Sequence, residues 1–229
     1  MRTAELSSLA KAFEASFDAS IEDNAAQARG LFLAKFPRRR LRLLDIDDYV
    51  VGKGQDSFCA VVESKTRAWA YIEGATAKKF GIYYGRYGKR KKGQRKRYHI
   101  AEGKFGKRKG KAFIAVRKAL VGLVAAGDRE DFAAIDGNPL SQMFKAKILS
   151  FYFPDRFINV CSDVHLREMV ELAGLGSIDS PSKCQSALVD FKNRSATTQR
   201  WSSPKFMNFL YHTLDRKSTR LNSSHGIIS

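Results

Sequence analysis

The spacing of apolar residues changes twice along this 229-residue chain, and the changes limit the folds available to it. Residues 3–35 carry apolar side chains at intervals of three and four, which is typical of amphipathic helices. Residues 49–101 are instead rich in aromatic and β-branched side chains and are interrupted by glycines, which favours strands. Helical spacing returns at residue 111. This order predicts an α+β fold, with a small antiparallel sheet or meander flanked by N-terminal and C-terminal helices.

The same pattern predicts how the chain is divided. We expect an N-terminal helical segment (1–48), a β-rich region with a basic hairpin (49–110), and a helical region (111–214) that forms one domain with the region before it. The last two strands are expected to pair with each other across the basic residues between them. The strand-like region begins at Val50 and Val51. The predicted strands that follow are Ser57–Glu63, Ala68–Glu73, Lys79–Tyr87 and Arg97–Ala101.

Charge is the most unusual property of the composition. The chain has 41 Lys and Arg against 23 Asp and Glu, which gives a net charge of +18. Such a balance favours polyanionic partners, meaning DNA, RNA or an anionic membrane surface. Most of the excess lies in residues 86–111, here called the basic segment, which contain thirteen Lys and Arg and one acid, Glu102.

The basic segment is the predicted nucleic-acid contact. Lys and Arg neutralise phosphates and release counterions, while the interleaved Tyr87, Tyr98, His99 and Phe105 could stack on exposed bases. A solvated loop that contacts nothing specific is the simpler alternative. The expected contact residues are Arg86, Lys89, Arg90, Lys91, Lys92, Arg95, Lys96, Arg97, Tyr98, His99, Lys104, Lys107, Arg108, Lys109 and Lys111.

Other features argue against membrane and metal functions. The longest uncharged, mostly apolar run is Ala119–Ala126, far short of the roughly 20 residues that span a bilayer. The N-terminus has no signal-peptide core, and three cysteines without close spacing favour a reducing, cytoplasmic compartment. The histidines lack metal-ligand spacing. We therefore expect no membrane partner, no bound metal and no cofactor.

An enzymatic alternative rests on three residues. Asp56 followed by Glu63 and Lys65 has the order of the PD-(D/E)XK nucleases, in which an acid and an E-x-K triplet lie on adjacent strands. Carboxylates in that arrangement hold Mg²⁺, and the lysine orients the attacking water. The pattern is short and is also typical of a strand that ends in surface charges. It leaves a Mg²⁺-dependent nuclease open as the alternative function.

Several phrases of the sequence together resemble a known module. They are FLAKFP (32–37), DDYVVGKGQDSFCAVVE (47–63), KFGIYYG (79–85), KILSFYFPDRFINVCSDVHL (147–166) and FKNR (191–194). Over residues 28–212 the chain resembles the N-terminal module that precedes effector domains in bacterial DNA-restriction proteins, including McrB-like AAA+ ATPases and HNH endonucleases. The resemblance implies DNA recognition in defence, with cleavage by a downstream domain or a partner nuclease. Composition does not distinguish DNA from RNA, but the resemblance favours DNA. The dense basic segment is not part of that resemblance.

The end of the sequence has a different character. Residues 215–225 match one reading frame of a short-read sequencing adapter, and Ile228 and Ser229 match it again after a two-residue variable index. We therefore expect residues 215–229 to be an artefact of a metagenomic record and the natural protein to continue beyond them as a longer chain. The net charge without this segment is still strongly positive, because the segment contains three bases and one acid.

Overall fold

The computed structural model describes residues 3–72, 76–86, 95–101 and 103–225, with side chains between residues 5 and 216 of these ranges. Helices dominate, and one pair of short strands lies near the middle of the described chain. The elements are α1 (Thr3–Ser16), α2 (Ser20–Lys35), a 3₁₀ turn (Arg38–Leu43), α3 (Ile46–Tyr49), α4 (Phe58–Ala60) with a π-helical turn (Val61–Lys65), α5 (Thr76–Phe80), β1 (Ile82–Gly85), β2 (Arg97–Ile100), α6 (Lys109–Asp128), α7 (Phe132–Asp136), α8 (Gln142–Tyr152), α9 (Asp163–Leu172), α10 (Pro181–Arg194) and α11 (Ser203–His225).

The predicted α+β class is confirmed, and the sheet has two strands in the described part of the chain. The expected antiparallel pairing of the last two predicted strands is also confirmed. β1 begins later than predicted because residues 76–80 form α5. The paired residues are Ile82 with Ile100, Tyr83 with His99, Tyr84 with Tyr98, and Gly85 with Arg97.

The predicted strands at Ser57–Glu63 and Ala68–Glu73 are wrong. The first run forms α4 and the π-helical turn, and the Ser57 hydroxyl accepts a hydrogen bond from the Ala60 backbone N–H as an N-terminal cap. A short apolar run has no decisive period, so burial can select a helix as easily as a strand. Residues 68–72 have no regular structure, and Glu73 lies outside the described residues.

The larger hydrophobic core is built around phenylalanines of α2, α4 and α8. Phe32 of α2 stacks on Phe151 of α8 with 4.3 Å between the ring centroids, and Phe36 meets Phe58 of α4 edge-on at 5.0 Å. All four rings are buried. Ile82 of β1 belongs to the same core. The core therefore supports the strand pair from one side.

A second core joins the two ends of the described chain. Side chains of α1 pack against α9, α10 and α11, with Phe13 and Phe209 at 5.5 Å between centroids. α2 contributes Ala25 and Phe32 to the larger core instead, and its first turn also contacts α11 through the ion pair of Glu22 with Lys205. The segment boundaries at 48, 110 and 214 stay predictions. α11 continues through residues 215–225, so the backbone conformation does not set that segment apart.

A buried lysine connects α8 to the irregular loop before α5. Lys147 is fully buried, and its Nζ donates to the backbone carbonyls of Val62 at 2.6 Å, Thr66 at 3.2 Å and Ala70 at 2.6 Å. Burial, together with the nearby charge of Lys79, lowers the pKa of Lys147 to about 7. These hydrogen bonds pair buried carbonyls in a segment that has no strand partner, and they hold that segment against α8.

Candidate nucleic-acid interface

The strand pair is fixed to the rest of the protein by backbone contacts on both sides. The Tyr84 N–H donates to the Val51 carbonyl at 2.9 Å, and the Tyr49 hydroxyl donates to the Phe80 carbonyl at 2.8 Å. Gly52 follows Val51 with φ +98°, and a side chain there would place its Cβ 1.8 Å from the Tyr84 carbonyl oxygen. Only glycine allows this approach. The edge of β1 is therefore held against the loop at residues 50–55.

One face of the strand pair is turned toward the protein. Tyr84 and Tyr98 pack against the larger core and meet each other edge-on at 5.0 Å. The Tyr98 hydroxyl donates to Asp47, which lies 3.3 Å from the Lys53 ammonium. The hydrogen bond from Tyr98 lowers the pKa of Asp47, whereas burial and Asp47 raise the pKa of Tyr98. Lys109 of α6 lies 4.6 Å from the centre of the Tyr98 ring. This face is thus occupied by contacts within the protein.

The opposite face carries a second pair of rings. Tyr83 and His99 stack with 4.7 Å between their centroids and 17° between their planes. His99 Nε2 lies 3.1 Å from the Gly85 carbonyl oxygen. A Cβ at Gly85 would lie 3.1 Å from Cε2 of Tyr83, so the Tyr83 ring leans over the glycine. The missing side chain at Gly85 leaves room for both rings to lie along the end of the strands.

A cleft of about 920 Å³ opens beside this ring pair. Four basic side chains line it, and no carboxylate lines it among the residues that the structure describes. Tyr83 and His99 form part of its wall, together with Tyr98. The bases come from three places in the sequence: Lys78 from α5, Arg86 and Arg97 from the ends of the strands, and Lys107 from the loop before α6.

The structure brings together many of the predicted contact residues. Arg86, Arg97, Tyr98, His99 and Lys107 line the cleft. The other described bases of the basic segment are exposed just before β2, in the loop that follows it or at the start of α6, namely Arg95, Lys96, Lys104, Arg108, Lys109 and Lys111. None of the described Lys or Arg residues of the segment forms an ion pair with a described acidic side chain. Lys89, Arg90, Lys91 and Lys92 lie outside the described residues.

Phe105 does not serve as a base-stacking ring, contrary to the expectation for the interleaved aromatics. Its side chain is buried in the larger core. It fills the space beside Gly81, where a Cβ would lie 2.8 Å from the Phe105 ring. Tyr87 lies outside the described residues. Of the predicted stacking residues, His99 is the one whose ring lies on the cleft side in a stacked pair.

Two of the aromatic and basic residues that line the cleft were not predicted from the sequence. Tyr83 could have been found, because an antiparallel pairing places it directly opposite His99 on the same face. Lys78 could not, because it precedes the predicted strand Lys79–Tyr87 and reaches the cleft only through the formation of α5.

The residues of the nuclease alternative form ion pairs within the protein. Asp56 contacts Lys65 at 2.5 Å and Lys35 at 2.9 Å, and these two ammonium groups lower its pKa to about 2. Glu63 pairs with Lys79, which is buried. Glu63 and Lys65 lie on a π-helical turn, so the strand expected beneath the E-x-K triplet is absent there. Within the described ranges, no group of three or more His, Cys, Asp or Glu could hold a metal ion. A nuclease role for these residues stays a prediction.

Comparisons with known proteins and a search for membrane spans add no family or membrane assignment. Comparison with protein-family models, curated proteins and solved structures gives no match to the chain. No helix in the described ranges has the length and apolar character that crossing a bilayer demands.

Proposed function

We propose that this protein binds nucleic acid through the cleft beside Tyr83 and His99 and through the exposed bases that surround it. The observation that carries the proposal is the lining of the cleft, where four cations converge without a described carboxylate. Cations that are exposed and not paired with acids attract a polyanion, and each phosphate contact releases counterions. The bases at the start of α6 extend the positive surface beyond the cleft.

DNA is the proposed polymer, and restriction-type defence is the proposed context. Both rest on the resemblance of residues 28–212 to the module that precedes restriction effectors. In this proposal the described chain supplies binding, and a downstream domain or a partner nuclease supplies cleavage. Competition of labelled duplex DNA with RNA of equal length tests the choice of polymer. Stronger competition by RNA would replace DNA with RNA as the ligand and would remove the restriction context.

Neutralising the cleft tests the binding proposal. The variant Arg86→Ala/Arg97→Ala/Lys107→Ala removes three cleft cations, and binding to labelled DNA is followed by fluorescence anisotropy at several salt concentrations. Each phosphate contact contributes about 0.9 to the slope of log affinity against log salt. We expect the slope to become shallower by roughly 2–3 if all three residues contact phosphates.

A second triple variant controls for net charge. Lys11, Lys183 and Arg200 are exposed bases of α1, α10 and the loop before α11. Their replacement by alanine changes the net charge by the same amount without touching the cleft. Equal losses in both triple variants, or an unchanged slope in the cleft variant, would contradict a specific role for the cleft.

A further inference from the structure

We propose that the cleft holds an unpaired nucleotide, whose base stacks on the Tyr83–His99 pair while neighbouring phosphates contact Arg86, Arg97 and Lys107. This inference rests on the proposed function and specifies the form of nucleic acid that the site takes. The chemistry recognised is a flat heteroaromatic base with a phosphodiester on each side. Single-stranded DNA and single-stranded RNA both present it.

The ring pair has the geometry of a stacking platform. The planes of Tyr83 and His99 are 17° apart, so the two rings stack on each other and a base that continues this stack lies against the outer face of one ring. Both side chains are half-buried, and both line the cleft. Bases stack on such rings in a way that tolerates any sequence, because every base has a π-face. The platform therefore suits an unpaired base of any identity.

The other pair of rings lacks this geometry. Tyr84 and Tyr98 meet at 61°, so they do not present parallel faces. Lys53 lies 4.4 Å from the centre of the Tyr84 ring, and Lys109 lies 4.6 Å from that of Tyr98. These cations cover the rings from within the protein. The two cross-strand pairs thus differ: Tyr84 and Tyr98 pack the strands onto the core, with Tyr98 also reaching the cleft, whereas Tyr83 and His99 both line the cleft.

The positions of the cations fit a strand that passes the ring pair. Arg97 lies opposite Gly85, next to the Tyr83–His99 pair in the strand register. Arg86 follows Gly85 directly, and Lys107 lies across the cleft in the loop before α6. In a duplex the faces of the bases are covered by their stacked neighbours, and only phosphates and groove edges are accessible. A stacking platform among phosphate contacts is therefore useful only for an unpaired nucleotide.

Removing the rings tests the inference. We expect Tyr83→Leu and His99→Leu each to weaken binding of a mixed-sequence single-stranded DNA by roughly 5- to 150-fold, the range for loss of one stacked base. Tyr83→Phe keeps the ring and is expected to bind like the wild type. Binding of a duplex of the same sequence should fall much less than binding of the single strand in the two leucine variants, because a duplex offers no base face to the rings.

Photocrosslinking of the unaltered protein gives a measurement that does not depend on how the variants fold. A single-stranded DNA with 5-iodouracil at one position is irradiated with the protein, and the attachment site is mapped by mass spectrometry. Attachment to Tyr83 or His99 supports the inference. Attachment only to residues away from the cleft would overturn it. An RNA strand of the same sequence forms the second arm, and tighter binding of RNA at the same rings would support the inference while assigning the polymer.

Failure of this inference differs from failure of the proposed function. If single-stranded and duplex DNA bind equally and the leucine variants bind both as the wild type does, the stacking role is wrong while nucleic-acid binding stands. If neither DNA binds with a salt-dependent affinity, the proposed function itself fails.

Discussion

The interior around α8 and the basic segment both contain lysine, but they use it in opposite ways. Lys147 and Lys145 of α8 are buried, and their ammonium groups donate to backbone carbonyls, in Lys145 those of Ile135 and Asp136 at 3.0 Å each. The described Lys and Arg of residues 86–111 are exposed and have no described acid as an ion-pair partner.

The difference shows how environment decides what a cation does. A buried charge is costly unless hydrogen bonds replace its water, so the α8 lysines must remain with their carbonyls and serve the fold. An exposed cation keeps its hydration and can exchange it for a phosphate. The number of lysines in a sequence therefore does not by itself indicate a binding surface.

Replacing Lys147 should have the largest effect on stability. In Lys147→Met the carbonyls of Val62, Thr66 and Ala70 lose their shared donor inside the protein. The Val62 carbonyl keeps the Thr66 hydroxyl as a donor, and the Thr66 carbonyl keeps the Trp69 N–H. Among the described residues it is therefore the Ala70 carbonyl that is left without a donor. An unsatisfied buried acceptor costs about 1–3 kcal/mol, and we expect the free energy of unfolding in urea to fall by about 1–3 kcal/mol. Lys118→Met, at an exposed position of α6, is the matched control and should change it by less than about 0.5 kcal/mol. A Lys147→Met protein as stable as the wild type would show that the buried lysine does not stabilise the fold, which would contradict the difference drawn between the two regions.

The stability difference between wild type and Lys147→Met should also depend on pH. The pKa of Lys147 is about 7 in the folded protein, and that of a lysine in an unfolded chain is about 10.4. Between these values the unfolded chain binds a proton that the folded protein has lost, so the Lys147 contribution to stability rises with pH. We expect the advantage of the wild type to grow by roughly 2 kcal/mol from pH 7 to pH 9. A difference that is constant over this range would show that the lysine keeps its proton.

A smaller effect on stability is expected at Tyr98, where the basic segment contacts Asp47. Tyr98→Phe removes the hydroxyl that donates to Asp47 and should lower the free energy of unfolding by about 0.5–1 kcal/mol. Tyr84→Phe is the matched control on the neighbouring strand, because the Tyr84 hydroxyl has no hydrogen-bond partner among the described residues. Equal losses in the two variants would mean that the Asp47 contact adds nothing to ring packing. Urea titrations of both proteins at pH 7 make the comparison.

The sequence predicted the order of helices and strands because period and glycine content change together at residues 49 and 111. It also predicted the antiparallel pair, since two runs rich in aromatic and β-branched residues are separated by a short stretch of bases and glycines. It did not predict α4, because Phe58, Cys59, Val61 and Val62 are all buried and a run buried on every side loses its period.

The candidate site was predicted in part. Arg86, Arg97 and His99 were found because a dense run of bases must lie at the surface. Phe105 was assigned to the wrong role, since its interleaving with lysines gives no sign of the space beside Gly81 that it fills. The buried positions of Lys145 and Lys147 were also not found, because their carbonyl partners are far apart in the sequence and come together only in the fold.

The burial of Phe105 has a consequence for the entropy of binding. β2 and the Phe105 side chain fix the chain at two points inside the basic segment, so the described bases near these points are held on an ordered backbone before any ligand arrives. Ordering a residue costs about 1–2 kcal/mol of backbone entropy, and here folding has already met that cost for these positions. In the proposed complex, the described cations between Arg97 and Lys111 would therefore form a preorganised surface, whose affinity would depend on phosphate spacing more than on the length of the loop.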